Sequence, residues 1–238
     1  MSTWAMHSAK ASTEPRYPPP YTRSVLARLH LVRHGEVDNP RGIVYSDLPG
    51  FHLSALGRTQ AAAAAHHLSG CGASLLVTSP LDRARETASY LARRLGLDAV
   101  PEPGLTEWGL SLRWSGIPWT ALDDRFPGEL EAYAAAPADM PFSPESLAAV
   151  AVRMKNVVDA LGTAHPGAVA ILVSHQDPVQ ALRLALRDEG FEDFHDDKPG
   201  HAAVITLEPQ GRAWLETEYW APPSGAAFPP PVGDSDTD

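Results

Sequence analysis

The chain has 238 residues, with 19 Lys and Arg against 29 Asp and Glu, and a single cysteine, Cys71. A chain of this length buries roughly 70% of its unfolded surface, so it needs no disulfide or metal to hold a core, and one cysteine excludes an intramolecular disulfide framework or a cysteine-based zinc site. The net charge of −10 argues against a general nucleic-acid binder.

No apolar run approaches the ~18 residues of a membrane span, and the first residues lack the apolar core of a signal peptide. The expectation is a cytoplasmic protein with no membrane partner. Nine of the 23 prolines lie outside 25–221. Pro-rich polar ends cannot bury enough apolar surface to offset chain entropy. Segments 1–24 and 222–238 are therefore expected to be disordered, with the working domain at 25–221.

In chain order, ARLHLVRH (27–34) reads as a buried strand. Ser54 is placed to cap an Ala-rich helix, with Gly70 as its stop. ASLLVTS (73–79) is a second strand. Ser79 and Pro80 are expected to start the next helix, with Gly96 just past its end. LDAV (97–100) is a third strand, followed by a long irregular stretch to about 142. Ser143 and Pro144 open a helix ending near Gly162. GAVAILVSH (167–175) is the most hydrophobic strand, and DPVQALRLALRDEG (177–190) is its helix, with Asp177 as cap and Pro178 as first residue. HAAVITLE (201–208) and RAWLETEY (212–219) close the chain as strands. Strand–helix alternation of this kind predicts a three-layer α/β/α sandwich with a mostly parallel central sheet.

Ligands of such sheets bind outside the carboxyl ends of the strands. Arg33 and His34 end the first strand, Ser79 and Arg83 follow the second, Glu107 follows the third, and Ser174 and His175 end the fourth. Their joint arrival at one edge fits phosphoryl transfer. A neutral imidazole can attack phosphorus if its other N–H is held, while two guanidinium forks and a second imidazole hold the phosphoryl oxygens. A carboxylic acid then protonates the leaving oxygen. Nothing in this scheme needs a metal or another cofactor.

LVRHGEVDNP (31–40) resembles the RHG signature of the histidine phosphatase (phosphoglycerate mutase-like) superfamily. LSALGRTQA (53–61), VTSPLDRARETA (77–88), Leu105-Thr106-Glu107 with Trp114 and Gly116, Pro144-Glu145-Ser146 and ILVSHQDPV resemble its further motifs in order. The resemblance implies that His34 is the nucleophile, that Arg33 and Arg83 bind the phosphoryl oxygens, that His175 stabilises the transferring group, and that Glu107 is general acid and then base. Asn39 and Gln176 join them as substrate-binding candidates. The sequence departs from the family at two places: Pro40 stands where it usually has Asn, and Gln176-Asp177 where it usually has Gly-Gly. Asp177 beside a dianion would be unfavourable, so it is expected to face away or to narrow the pocket.

Other histidines read as structural. His66 and His67 are adjacent on a helix and share no face for a metal, and His195 with Asp196, Asp197 and His201 reads as a solvated acidic loop. His52 is a candidate for the pocket rim. Between 105 and 142, Trp108, Trp114, Trp119, Phe126, Tyr133 and Phe142 suggest a cap over the strand ends. The aromatics either line a pocket for an apolar or ring-containing substrate or pack the cap onto the sheet.

The first functional reading is a metal-independent phosphatase for a small phosphomonoester. A cofactor-dependent phosphoglycerate mutase and a non-catalytic phosphate-binding protein are the alternatives. The partner expected is the small-molecule substrate, with a homodimer left open.

Overall fold

The structure is a computed structural model that describes residues 25–223, so the expected disorder of the two ends falls almost wholly outside the described residues. The main elements are β1 (Arg28–Arg33), α1 (Ala55–His67), β2 (Leu75–Thr78), α2 (Asp82–Leu95) and β3 (Ala99–Pro101). Three short helices follow: α3 (Leu110–Arg113), α4 (Leu122–Arg125) and α5 (Glu129–Ala135). The chain closes with α6 (Leu147–Ala164), β4 (Val169–Ser174), α7 (Gln176–Leu186), β5 (Val204–Gln210) and β6 (Ala213–Trp220).

The six strands form one sheet in the order β3-β2-β4-β1-β5-β6. β1, β2, β3 and β4 run parallel, and β5 and β6 extend the sheet antiparallel. Alternation of side chains along the strands makes the layers. Leu29, Leu31, Ala170 and Leu172 pack with Val150, Met154, Val179 and Leu182 of α6 and α7. Val32, Ile171 and Val173 face the other way, onto Ala64, Ala84, Ala88 and Leu91 of α1 and α2. Small alanines on both of those helices let them sit close to the sheet and to each other. The expected sandwich is the one observed.

Helix boundaries show where local signals win and lose. Ser54 caps α1, its hydroxyl accepting from the Gly57 N–H at 2.9 Å. Gly96 ends α2 in a left-handed conformation (φ 68°) that costs glycine nothing. Three expected starts move. The second helix begins at Asp82 with Leu81 at the cap, because the Ser79 hydroxyl is engaged by His175. The helix expected from Ser143 begins at Leu147, where the Ser146 hydroxyl accepts from the Ala149 N–H, while the Ser143 hydroxyl donates to the Glu145 carbonyl. The last helix begins at Gln176 with His175 at its cap, so Asp177 lies inside the first turn.

The irregular stretch 102–146 folds over the carboxyl ends of β1, β2 and β4. It is tied to the loop after β1 by paired backbone bonds, Val44 N–H to Ile117 carbonyl at 2.9 Å and Gly116 N–H to Val44 carbonyl at 2.8 Å.

Candidate active site

The loop leaving β1 is held in place by close backbone packing. A β-carbon on Gly35 would sit 2.5 Å from the Gly57 carbonyl oxygen, and one on Gly57 would sit 1.9 Å from that of Glu36. Both glycines are therefore required for the loop and the start of α1 to touch. The Gly35 N–H donates to the Thr87 hydroxyl at 3.0 Å, and the Glu36 N–H donates to the Gln60 side-chain oxygen at 2.8 Å. Residues from three motif segments thus fix the backbone on either side of one histidine.

That histidine, His34, is buried and pairs its Nδ1 with the Gly35 carbonyl at 2.7 Å. A carbonyl can only accept, so Nδ1 carries the proton and Nε2 presents its lone pair. Burial, then the Arg83 and Arg33 charges, hold the imidazole pKa well below its ordinary value and the ring neutral. The Arg83 Nε donates toward His34 Nε2 at 3.3 Å. Arg83 is 1% exposed, and its guanidinium lies over the Tyr45 ring at 4.7 Å.

On the other side, Arg33 donates from Nη1 to the Pro199 carbonyl at 2.9 Å and pairs through Nη2 with His201 Nε2 at 2.9 Å. His175 follows β4 directly and is fully buried, its ring centroid 5.2 Å from that of His34. Its Nε2 lies 2.7 Å from the Ser79 hydroxyl, which accepts from the Leu81 N–H at 3.3 Å. That hydroxyl is set to donate to Nε2, which leaves the proton of neutral His175 on Nδ1, pointing at the site.

Glu107 completes the group. Its Oε2 lies 3.9 Å from Arg83 Nη2 and 3.8 Å from His175 Nδ1, and its Oε1 accepts from the Trp108 N–H at 2.9 Å. Burial, reinforced by the Asp177 charge, raises its pKa to about 7 against the opposing pull of Arg83. A carboxyl so placed is available as an acid and as a base near neutral pH. Arg153 of α6 holds the segment that carries it, donating to the carbonyls of Gly104, Thr106 and Glu107 at 2.8, 2.9 and 3.0 Å. The Arg153 guanidinium is itself paired with Glu145 at 2.6 Å, which gives the Pro144-Glu145-Ser146 motif a structural purpose.

Five buried side-chain polar atoms among the described residues lack a hydrogen-bond partner, and three of them belong to this group: Arg33 Nε, Arg83 Nη2 and His175 Nδ1. All three are donors, and buried donors without acceptors are costly unless a ligand supplies them. They belong to three residues around one neutral imidazole, with a carboxyl beside them. An anion with several oxygens fits that arrangement, and a nucleophile with an adjacent acid can act on it.

The pocket in front of these groups has a volume of about 330 Å³. Trp108, Trp114, Trp119 and Tyr133 are among its walls, so the cap both packs and lines: Trp108 and Trp114 are buried, while Trp119 is 48% exposed. Asn39 reaches the pocket, but its carboxamide is bonded in both directions to the Ile43 backbone. Gln176 lines it too, donating to the Pro199 carbonyl at 3.2 Å. His52 is paired with Glu86 and is not part of the lining. His67 stacks on Trp220 with centroids 4.4 Å apart.

Two expectations need correction. The 195–201 stretch is not simply a solvated loop: His195 bonds the Tyr133 carbonyl at 2.6 Å, and His201 lines the pocket against Arg33. Of the two places expected for Asp177, facing away or narrowing the pocket, the first does not hold. Asp177 lines the pocket, and its charge is met by Lys198 Nζ at 2.8 Å. Lys198, Tyr45 and Arg153 are not singled out by the sequence, and His201 is read there only as part of an acidic loop, since each owes its place to tertiary packing. No group of three His, Cys, Asp or Glu among the described residues is placed to hold a metal ion, and no helix among them is long and apolar enough to cross a membrane.

The chain is similar to known proteins in sequence and in fold. The sequence profile of the family described as histidine phosphatase superfamily (branch 1) matches residues 29–220. A glucosyl-3-phosphoglycerate phosphatase of Mycobacterium tuberculosis (strain CDC 1551 / Oshkosh) is 34% identical over 167 residues, 67% of this chain and 74% of that protein. Phosphoserine phosphatase 1 of Hydrogenobacter thermophilus is 31% identical over 163 residues, 68% of this chain and 76% of that protein. The solved structure of mycobacterial glucosyl-3-phosphoglycerate phosphatase with VO3 superimposes with a TM-score of 0.74 at 31% identity, covering 82% of this chain and 98% of the other.

Proposed function

The chain belongs to the histidine phosphatase superfamily (branch 1), and from that premise we propose that it is a metal-independent phosphatase acting on a small phosphomonoester through a phosphohistidine on His34. One observation carries the reading: Arg33, Arg83 and His175 hold buried, unpartnered donors around a neutral His34 whose Nδ1 is held by the Gly35 carbonyl and whose Nε2, lone pair free of a proton, meets only a long contact from Arg83 Nε at 3.3 Å.

In the first step His34 Nε2 attacks phosphorus as the P–O bond to the leaving group breaks. Glu107 gives its proton to the departing oxygen, and the three donors hold the phosphoryl oxygens as charge spreads over them. The Gly35 carbonyl steadies the positive imidazole through its Nδ1–H. In the second step the Glu107 carboxylate takes a proton from water as the water oxygen attacks phosphorus and the P–N bond breaks. Inorganic phosphate leaves, and His34 and Glu107 return to their starting protonation states. No step calls on a metal.

The relatives' names specify small phosphomonoesters, and the aromatic walls here support one with an apolar or ring-containing body. The test is p-nitrophenyl phosphate hydrolysis in EDTA, comparing the wild type with His34→Ala at equal folded concentration. Turnover that persists in EDTA and is lost in the variant is the expected result. Equal turnover by both proteins overturns the assignment of His34, and loss of wild-type turnover in EDTA overturns metal independence.

A further inference from the structure

Beyond the phosphate cradle, the pocket walls carry an uneven set of charges. Glu36 and Asp177 contribute carboxylates there, and the remaining walls include the cap aromatics and Val37, Val44 and Leu110. His201 is kept neutral, its pKa lowered to about 4 by burial and by Arg33. The two guanidinium groups beside His34 face the phosphoryl position. Lys198 lies beside the pocket wall, and its ammonium is already engaged.

Lys198 Nζ donates to the Tyr133 hydroxyl at 2.7 Å and to Asp177 Oδ1 at 2.8 Å. It also sits over the Phe194 ring at 4.2 Å and the Tyr133 ring at 4.9 Å. The Tyr133 hydroxyl donates to Asp177 Oδ2 at 3.1 Å. Asp177 and Tyr133 line the pocket, whereas Lys198 does not. The lysine therefore lies behind the wall, with its charge spent on the carboxylate in front of it. A substrate carboxylate or second phosphate would meet Asp177 in a pocket whose lining holds no Lys or Arg besides Arg33 of the phosphate cradle. Like charges brought together in a partly desolvated site are strongly selective against the wrong ligand.

We propose that the Asp177–Lys198–Tyr133 cluster selects the charge of the substrate body, admitting phosphomonoesters of neutral or cationic ring-containing molecules and rejecting those that carry a second anionic group. This rests on the phosphatase reading and adds to it the class of substrate. Asp177 is a specificity-determining residue, and it occupies one of the positions where the sequence departs from the family pattern.

Three phosphate esters of similar size and leaving-group acidity test the proposal in the full chain: para-ethylphenyl phosphate, tyramine phosphate and the phosphate of para-hydroxyphenylpropionate. They differ in the charge at the far end of the ring. For the wild type, kcat/KM on the propionate ester is expected to be at least about tenfold below that on the ethylphenyl ester, with the tyramine ester equal or better. Asp177→Asn uncovers the Lys198 charge and is expected to narrow the gap between propionate and ethylphenyl esters by about fivefold or more. Lys198→Met leaves Asp177 unneutralised and is expected to widen it.

The use of ratios within one protein cancels any change in the acid Glu107, and general damage to the fold does not move two variants in opposite directions. Wild-type turnover with no preference among the esters overturns the proposal and leaves the phosphatase reading standing. So does an unchanged preference in both variants. No turnover of any ester overturns both.

Discussion

Arg153 touches no reacting atom in the proposed chemistry, yet its replacement should be felt there. In Arg153→Met the carbonyls of Gly104, Thr106 and Glu107 lose their shared donor, and Glu145 loses its ion-pair partner and keeps only the Gly109 N–H. Hydrogen bonds to charged groups contribute about 1.5–3 kcal/mol each, but the Arg153 and Glu145 side chains are 21% and 23% exposed, so water replaces part of the loss. A cost of about 2–4 kcal/mol follows. At roughly 2–4 °C per kcal/mol for a domain of this size, Tm should fall by about 5–15 °C. The catalytic effect is separable. Glu107 must meet the leaving oxygen, and misplacement by about 1 Å costs on the order of 100-fold. That loss should appear in kcat/KM for alkyl phosphates, whose leaving oxygen needs a proton, and should largely vanish for p-nitrophenyl phosphate, whose leaving group departs as the anion. Arg153→Lys should recover part of the stability and little of the geometry, since an ammonium cannot span three carbonyls and a carboxylate. Assay below the lowered Tm keeps folding out of the comparison. An equal fall on both substrate types would refute the argument that Arg153 acts by positioning the acid.

The remaining expectations are briefer. With the Glu107 pKa raised to about 7 by burial and Asp177, kcat/KM for an alkyl phosphate should fall as pH rises through 7, once corrected for substrate ionisation, and Glu107→Gln should remove that limb. Folding raises this carboxyl from its usual 4.5, so the folded chain holds the proton more tightly than the unfolded one, and stability declines as pH rises from 4.5 through about 7. Denaturation of Glu107→Gln should accordingly show a gain over the wild type between pH 5 and pH 8, and a constant difference would contradict the raised value. Gly57→Ala puts a β-carbon 1.9 Å from the Glu36 carbonyl oxygen, and the backbone must move apart. A loss of about 3 kcal/mol or more in urea unfolding, with activity reduced through the His34 loop, is expected. Trp119→Ala should lower kcat/KM for naphthyl phosphate about tenfold relative to glycerol phosphate with little change in Tm, because Trp119 is half exposed on the pocket wall. An unchanged ratio would assign Trp119 to cap packing alone.

How much of this was legible in the sequence depends on the range over which each signal acts. Strands β1, β2 and β4 announce themselves as apolar runs, and the rule that ligands gather at the carboxyl ends of parallel strands places Arg33, His34, Arg83 and His175 together before any coordinate is known. Helix starts were less legible, because a serine before a proline signals a cap only if its hydroxyl is not wanted elsewhere. Ser79 follows the local signal on paper, but His175, 96 residues away in the chain, engages that hydroxyl. The same limit hid Arg153 and Lys198: an arginine in the middle of a helix and a lysine at the end of an acidic run look solvated until the fold shows what surrounds them.

Asp177 shows why such cases matter for function. Read alone, a carboxylate one turn from a phosphate site is a liability that must either face away or narrow the pocket. The fold keeps it in the wall and places Lys198 behind it, with Tyr133 bridging the two. The local cost of the charge is thereby reduced without removing its effect on what enters. The cradle of Arg33, Arg83 and His175 suits an anion, and in the proposal above the neighbouring Asp177 wall refuses a second one. A site with both features can bind a phosphate tightly while still choosing among the molecules that carry it.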